Sequence, residues 1–254
     1  MQPIDINELY GAFADAYARF SKDRDFTAQI RRIVEMHGGR AGSLHALELF
    51  AGPAEHSRAF VAEGFGAATA IDSAPAMAEL AAGVAPLRYL ISRLPSLPEE
   101  VRAGSMDIVI APRYSLGYLS NDEAAALLQA CANVLRPGGL FVAELHDPRK
   151  FLNHLDDLDI KTRRFHTASG ARGSVEWPFG PVRLRQEGWI AEMDVRLEVD
   201  DHPEPRIFTS VEHLHTQESL RFACRGMPHV AFAAAPLTVE EFPGSLLAVF
   251  RKIA

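Results

Sequence analysis

The sequence predicts an α/β protein whose core is a mostly parallel sheet covered by helices on both faces. Three observations predict it. Between Leu44 and Leu145, short apolar runs alternate with helical stretches. Those runs are mostly apolar without strict alternation, as strands covered on both faces are. From about Lys150 to His215 the texture changes to a two-residue alternation, which marks an antiparallel segment inserted into the α/β pattern.

In chain order, Ile6, Leu9, Tyr10, Phe13, Tyr17 and Phe20 recur at three- and four-residue steps and predict an N-terminal helix. A second helix runs from about Phe26 to Met36, stopped by Gly38-Gly39. Leu44 to Phe50 is the first strand of the alternating region and turns at Gly52-Pro53. Ala54 to Glu63 is helical, closed by Gly64. Ala67 to Ile71 is a strand ending on Asp72, followed by a helix over Pro75 to Ala82. Leu87 to Ile91 and Met106 to Ala111 are the third and fourth strands. Asn121 to Leu135 is a long helix, with Ser120 or Asn121 as cap and Glu123 in its first turn. Pro137-Gly138-Gly139 is a turn, and Leu140 to Leu145 the fifth strand. In the inserted segment, Met193, Val195, Leu197 and Val199 alternate with Asp194, Arg196, Glu198 and Asp200, and Ile207 to His215 forms a neighbouring strand. Thr216 to Arg225 is helical. Strands around Val230 to Ala234 and Leu246 to Arg251 return to the main sheet. The boundaries are therefore 1–40 for an N-terminal helical cap, 41–149 for the core, 150–215 for an antiparallel insertion acting as lid or oligomer surface, and 216–254 for the end of the core.

Charge and cysteines narrow the partners. Lys and Arg number 26 against 33 Asp and Glu, a net charge of −7, which disfavours nucleic acid and better suits a small or cationic partner. Of the two cysteines, Cys131 lies in an Ala/Leu-rich helix as a small apolar residue, and neither it nor Cys224 has metal-ligand spacing, so no metal is expected. The opening MQPIDINELYGAF lacks a basic start before an apolar stretch, and no run reaches the about 18 apolar residues of a membrane span. A cytoplasmic setting and no membrane partner are expected, with a monomer or homodimer as the assembly.

In open α/β sheets ligands bind beyond the carboxyl ends of the strands, so the residues after each strand are the candidates. LELFAGPAEHS (47–57) puts Glu48 in a strand that runs into Gly52, where a glycine lets backbone approach a ligand closely. Asp72 lies 20 residues further on, the distance at which an acidic residue can accept both ribose hydroxyls of a nucleoside, a reading favoured over a cap for the helix that follows. Ser92, then Pro112-Arg113-Tyr114-Ser115, then Glu144-Leu145-His146-Asp147 follow the next three strands.

Taken together, these motifs resemble the class I methyltransferases that use S-adenosylmethionine (SAM). LELFAGPAEHS occupies the motif I slot, AIDSAPAM motif II and NVLRPGGLFVAELHDP the late signature. The stretch YSLGYLSNDEAAALLQACANVLRPGGL is similar to small-molecule methyltransferases with an antiparallel insertion, the amino-sugar N-methyltransferases among them. The resemblance spans about Tyr10 to Arg251 and implies a Rossmann-like, seven-stranded, mostly parallel sheet with the antiparallel β insertion after strand five. It also implies SAM as cofactor and S-adenosylhomocysteine as product. By the same resemblance Ala51 and Gly52 line the methionine part, Asp72 holds the ribose, and Ser73 and Met77 lie near the adenine. Ser92 stands where many relatives carry Asp, Arg113 to Ser115 border donor and acceptor, and Tyr17 matches a tyrosine that closes over SAM in some relatives. Of the three alternating glycines of motif I, only the middle one remains here: the positions read Phe50, Gly52 and Ala54.

A sulfonium donor arrives activated, so the protein's task is to align the acceptor and exclude water. A hydroxyl acceptor benefits from a base, while an amine needs only to arrive neutral. His146 and Glu144 are the base candidates, with Tyr114 beside them. Residues 146 and 147 on a strand face opposite sides, so His146 and Asp147 do not pair directly. Glu48 fits a cofactor contact or a structural carboxylate equally. His213 and His215 share a face of a predicted strand but lack a third ligand, and Trp177 and Trp189 suit an acceptor wall or core packing. The expected reaction is methyl transfer to a small molecule, nitrogen first, with oxygen or carbon as the alternative. A non-catalytic SAM- or nucleoside-binding protein is the rival. An NAD-dependent oxidoreductase is disfavoured by the missing GxGxxG.

Overall fold

The computed structural model describes residues 4–39, 41–83, 86–149, 162–185, 189–202 and 204–253. Along the chain the elements are β1 Ile4–Asp5, α1 Asn7–Tyr10, α2 Ala14–Phe20, α3 Phe26–His37, β2 Leu44–Leu49, α4 Glu55–Ala62, β3 Gly66–Asp72, α5 Pro75–Ala81, β4 Leu87–Ile91, β5 Met106–Ala111, a 3₁₀ turn Ser115–Tyr118, α6 Asn121–Val134, β6 Leu135–His146, β7 Thr162–His166, β8 Arg172–Glu176, β9 Arg183–Arg185, β10 Ile190–Val199, β11 Arg206–His213, α7 Gln217–Ala223, β12 Val230–Phe232 and β13 Ser245–Lys252. They group into two compact units, one of Met1–Arg24 with Pro148–Leu214, the other of Asp25–Asp147 with His215–Ala254.

The larger unit holds a seven-stranded sheet in the order β12-β13-β6-β5-β2-β3-β4. Strands β6, β5, β2, β3 and β4 run parallel, and β13 and β12 are added antiparallel. The order reverses between β2 and β5, a topological switch point of the kind at which such sheets bind ligands. Alternation along the central strands explains the layering. Leu47, Leu49, Val109, Ala111, Phe141 and Ala143 pack with Leu127, Leu128 and Cys131 of α6 and Leu220 of α7. Ala46, Ile108, Ile110, Leu140 and Val142 pack with Ile30, Ile33 and Val34 of α3 and Phe60 of α4. Both faces are thereby dry, and burial pushes the Cys131 thiol upward and the Cys224 thiol up to about 11.

The α3 helix starts where the Asp25 side chain accepts from Ala28 N at 2.9 Å, and ends at Gly38 with φ 78°. The α6 helix opens with a reciprocal pair: Glu123 N donates to Ser120 Oγ at 3.3 Å and Ser120 N to Glu123 Oε2 at 2.8 Å. Ser120→Ala is expected to lower stability by about 1 kcal/mol, measured as a shift in urea midpoint without a change in slope. The Pro137-Gly138-Gly139 turn falls inside β6, not before it. Met106 pairs with Leu135 and Ile108 with Leu140, so residues 136–139 bulge out of the ladder, with Gly138 at φ 82°.

The smaller unit is a six-stranded sheet in the order β1-β11-β10-β8-β7, with β9 also paired to β10. Ala191, Met193, Val195, Leu197 and Val199 of β10 are buried, while the alternate residues form ion pairs such as Arg183 with Asp194 at 2.9 Å. The N-terminal residues depart from the helical cap expected over 1–40. Ile4 and Asp5 add a parallel strand to β11, the helix breaks at Gly11, and only α2 continues to Phe20. Phe13 packs on Phe208 and Phe20 on Phe165, which ties residues 4–24 to the inserted sheet, whereas α3 belongs to the larger unit. His213 and His215 do not share a strand face: β11 stops at His213, and Thr216 caps α7 through Ser219 N, so His215 falls in the other unit. No described helix is long and apolar enough to cross a membrane.

Candidate functional site

The turn after β2 carries the most unusual backbone of the larger unit. Phe50, Gly52 and Ala54 stand at φ 51°, 51° and 57°, in the left-handed region that favours glycine. A non-glycine residue there costs of order 1 kcal/mol, so the surroundings must hold Phe50 and Ala54 in place. They do so from several sides. Ala51 N donates to Ile71 O at 2.9 Å, Ala54 N to Ala51 O at 2.8 Å, and Gly52 N to Asp72 Oδ2 at 2.8 Å. The Tyr89 hydroxyl donates to Gly52 O at 2.7 Å. The glycine-type loop therefore survives the loss of two glycines from the sequence. Ala54→Gly removes this strain but also a fully buried methyl, so its stability is expected to stay within about 1 kcal/mol of the parent in urea unfolding.

Glu48, one turn of chain earlier, is 1 % exposed. Its Oε2 accepts from Ser57 N at 2.8 Å and its Oε1 lies 3.2 Å from His56 Nδ1. His56 Nε2 is 2.9 Å from Gln29 Oε1, and Gln29 Nε2 donates to Glu241 O at 2.8 Å. Both oxygens of Glu48 are thus engaged inside the protein, in a chain that ties β2, α4 and α3 together.

Asp72 ends β3. Its Oδ1 accepts from Ala74 N at 2.9 Å, while its other oxygen holds Gly52. Burial raises its carboxyl above the usual 3.8, and the backbone donors at Ala74, Gly52 and Ser73 oppose that rise. Burial and the nearby Asp72 and Glu48 push the Tyr89 phenol well up, which keeps it a donor to the Gly52 carbonyl. Ser92 N donates to Asp72 O at 2.9 Å, and Ser92 Oγ to Ser96 O at 3.3 Å. Next to it, Ile91 is 56 % exposed at the end of an edge strand. Ser73 is exposed and Met77 fully buried on α5.

Beyond β5, Arg113 and Tyr114 are both left-handed, at φ 56° and 60°. Arg113 N donates to Glu144 Oε2 at 2.6 Å, and Ser245 Oγ donates to Glu144 Oε1 at 2.6 Å. The Tyr114 hydroxyl lies 2.8 Å from Ser245 Oγ. The His146 ring stacks on that of Tyr114, centroids 3.9 Å apart at 11°. Among the described residues, Ser115 Oγ at the start of the 3₁₀ turn and Ser57 Oγ in the first turn of α4 are buried without a hydrogen-bond partner. No described group of three or more His, Cys, Asp or Glu could hold a metal ion.

The larger unit thus brings together Phe50, Ala51, Gly52, Asp72, Ser73, Ser92, Arg113, Tyr114, Glu144 and His146 at the carboxyl ends of five adjacent parallel strands. Tyr17 lies in the smaller unit, edge-on to Tyr10 and Phe20 at 4.9 and 5.3 Å. His215 Nε2 meets Leu119 O at 3.0 Å, a structural contact, and Trp189 is 60 % exposed on the smaller unit. Sequence reasoning missed Tyr89 and Ser245. Neither follows a strand of the glycine-turn pattern, and only the pairing of β4 with β3 and of β13 with β6 brings them to the site.

Residues 46–139, from β2 to the bulge in β6, match the model of a methyltransferase domain family. Over that stretch the chain is similar to a methyltransferase domain. Solved structures share its class I fold over nearly the whole length. DesVI of Streptomyces venezuelae is 19% identical, with 100% of each chain covered and a TM-score of 0.72. SAM-bound CalS10, an amino pentose methyltransferase from Micromonospora echinaspora, is 19% identical over 95% of this chain and 96% of that one, with a TM-score of 0.70. The sugar N-methyltransferase KedS8 from a Streptoalloteichus species is 20% identical over 91% and 89%, with a TM-score of 0.68. No curated protein matches the sequence.

The residues of the larger unit fit SAM as a ligand. A ribose diol offers two hydroxyl donors to the partly desolvated Asp72 carboxylate, and Gly52 puts no side chain between its backbone and a ligand. The orphaned Ser115 hydroxyl adds a polar group at the same edge.

Proposed function

We propose that this chain methylates a small-molecule acceptor at nitrogen, with SAM as donor. The observation that carries the reading is the pairing of the left-handed turn at 50, 52 and 54 with Asp72 through the 2.8 Å bond from Gly52 N. Two strained non-glycine residues are retained there only if the shape of that turn matters, and strain of this kind collects at ligand sites. Bound SAM supplies a sulfonium methyl activated for in-line displacement. The protein then binds, orients and keeps water away. Asp72 holds the ribose hydroxyls, Ala51 and Gly52 border the methionine part beside Phe50, and Ser73 and Ser92 border the adenine with Met77 as apolar backing. Arg113 and Tyr114 stand between donor and acceptor, and His146 braces the Tyr114 ring.

Nitrogen as the accepting atom is supported by the amino pentose and sugar N-methyltransferases among the structural neighbours and by the glycopeptide N-methyltransferase MtfA. The net charge of −7 attracts basic amines, which shed their proton before they act as nucleophiles. Calorimetric titration with SAM and S-adenosylhomocysteine tests the donor. Micromolar binding is expected, and an absence of heat at millimolar ligand would sink the reading. A panel of amino sugars and simple amines, followed by mass spectrometry for a gained methyl, then tests the acceptor; methylation of phenols and alcohols alone would move it to oxygen.

A further inference from the structure

The polar chain behind Tyr114 has a fixed direction. Glu144 is 1 % exposed and Ser245 3 %. Ser245 has one hydroxyl proton and gives it to Glu144 Oε1 at 2.6 Å, so the 2.8 Å contact with Tyr114 has the phenol as donor and Ser245 as acceptor. Arg113 N holds the second carboxylate oxygen at 2.6 Å, and the stacked His146 ring fixes the plane of the phenol. Each proton in the row Tyr114, Ser245, Glu144 points inward. The phenol proton is therefore committed to Ser245, and the row runs on to the Glu144 carboxylate.

Building on the methyl-transfer reading, we propose that Tyr114, Ser245 and Glu144 form a proton relay, which selects acceptors bearing an N–H and takes up the proton that methylation releases. Once the nitrogen is methylated it carries one N–H in excess and the positive charge. That proton passes to Tyr114 Oη, the phenol proton to Ser245 Oγ, and the serine proton to Glu144 Oε1. The amine is left neutral and the carboxylate becomes a carboxylic acid, so charge and protons balance with no further reactant. Tyr114 is the catalytic residue of the three. Ser245 and Glu144 act through it, as positioning and terminal groups. Neither Ser245 nor its strand is near Tyr114 in sequence; the register pairing Ser245 with His146 across β13 and β6 brings it there.

The test uses the full chain with its five tyrosines carrying ¹³C at Cζ, the Tyr114 signal being assigned by Tyr114→Phe. Glu144→Gln should displace the Tyr114 signal in the parent chain, and leave it nearly still in the Ser245→Ala background. Ser245→Thr should restore the response. Equal displacements in the two backgrounds would overturn the relay. With an amine from the acceptor panel, Ser245→Ala should lower kcat by about a hundredfold with the KM for SAM unchanged, and Ser245→Thr should recover most of it. An unchanged kcat would also overturn it. Calorimetry on the parent chain separates the two levels: SAM binding with an uncoupled Tyr114 sinks the relay alone, whereas no SAM binding sinks the reading beneath it.

Discussion

Asp72→Ala is expected to weaken SAM binding by about a hundredfold. Two hydroxyl groups donating to one carboxylate are charge-assisted hydrogen bonds, each contributing about 1.5 kcal/mol or more when shielded from water, and about 3 kcal/mol is roughly two decades in Kd. The same carboxylate holds Gly52 N and Ala74 N, so the loss combines a missing ligand contact with a loosened turn. Asp72→Asn separates these. Its amide oxygen still accepts from one backbone N–H, and the expected loss is nearer tenfold. Calorimetry reads the affinities and urea unfolding reads the turn. Affinity within threefold of the parent for both variants would remove Asp72 from the ribose.

The pH dependence follows in sign from the raised carboxyl of Asp72. Donors on the ribose favour the ionised form, so affinity is full above the raised value. It declines as pH falls through it, which happens at a pH higher than the usual 3.8. Folding alone has the opposite sign. A carboxyl whose folded value lies above its unfolded one contributes stability that is present below the unfolded value and is lost as pH rises through the folded one. SAM affinity that stays flat down to pH 3.8 would contradict the assignment.

Much of the larger unit was legible because its strands are buried on both faces. Leu87 to Ile91 and Met106 to Ala111 are predicted and observed with the same ends, the second because every residue but Asp107 is apolar and packed in the sheet's centre, the first from its apolar residues despite its place at the edge. The N-terminal helices were less legible. The stripe from Ile6 to Phe20 has helical spacing, but its aromatic residues serve the inserted sheet, and two residues before it pair as a strand. At the site, Gly52 and Asp72 stood out because residue type and spacing carry the chemistry. Phe50 and Ala54 did not: a sequence shows a missing glycine, while the left-handed backbone at those positions is set by bonds from Asp72, Tyr89 and Ile71. Long-range register is the other blind spot. Glu144 could be picked out after its strand, but its partner Ser245 is 101 residues away and becomes visible only once β13 lies against β6.

Glu48→Ala is expected to destabilise the larger unit by about 3–5 kcal/mol, the largest single loss foreseen here. The reason lies in the order of the chain behind the carboxylate. Gln29 spends its amide N–H on Glu241 O, so its oxygen faces His56 Nε2, which must carry a proton. The second ring nitrogen then faces Glu48 Oε1 across 3.2 Å. Removing the carboxylate strands His56 Nδ1 and Ser57 N in a place where both residues are 1 % exposed and water cannot replace it. His56→Ala strands Glu48 and Gln29 in turn. The double variant should therefore cost less than the two single ones together, by about 2 kcal/mol. The probe matters. Both tryptophans, Trp177 and Trp189, lie in the smaller unit, so their fluorescence does not report the unit that contains Glu48. Hydrogen exchange at the amides of β2, or far-ultraviolet circular dichroism, does report it. A loss under about 1 kcal/mol by either measure would mean that the turn stands without its buried carboxylate, and that the backbone bonds from Asp72 and Tyr89 alone suffice to hold Phe50 and Ala54 in their strained conformation.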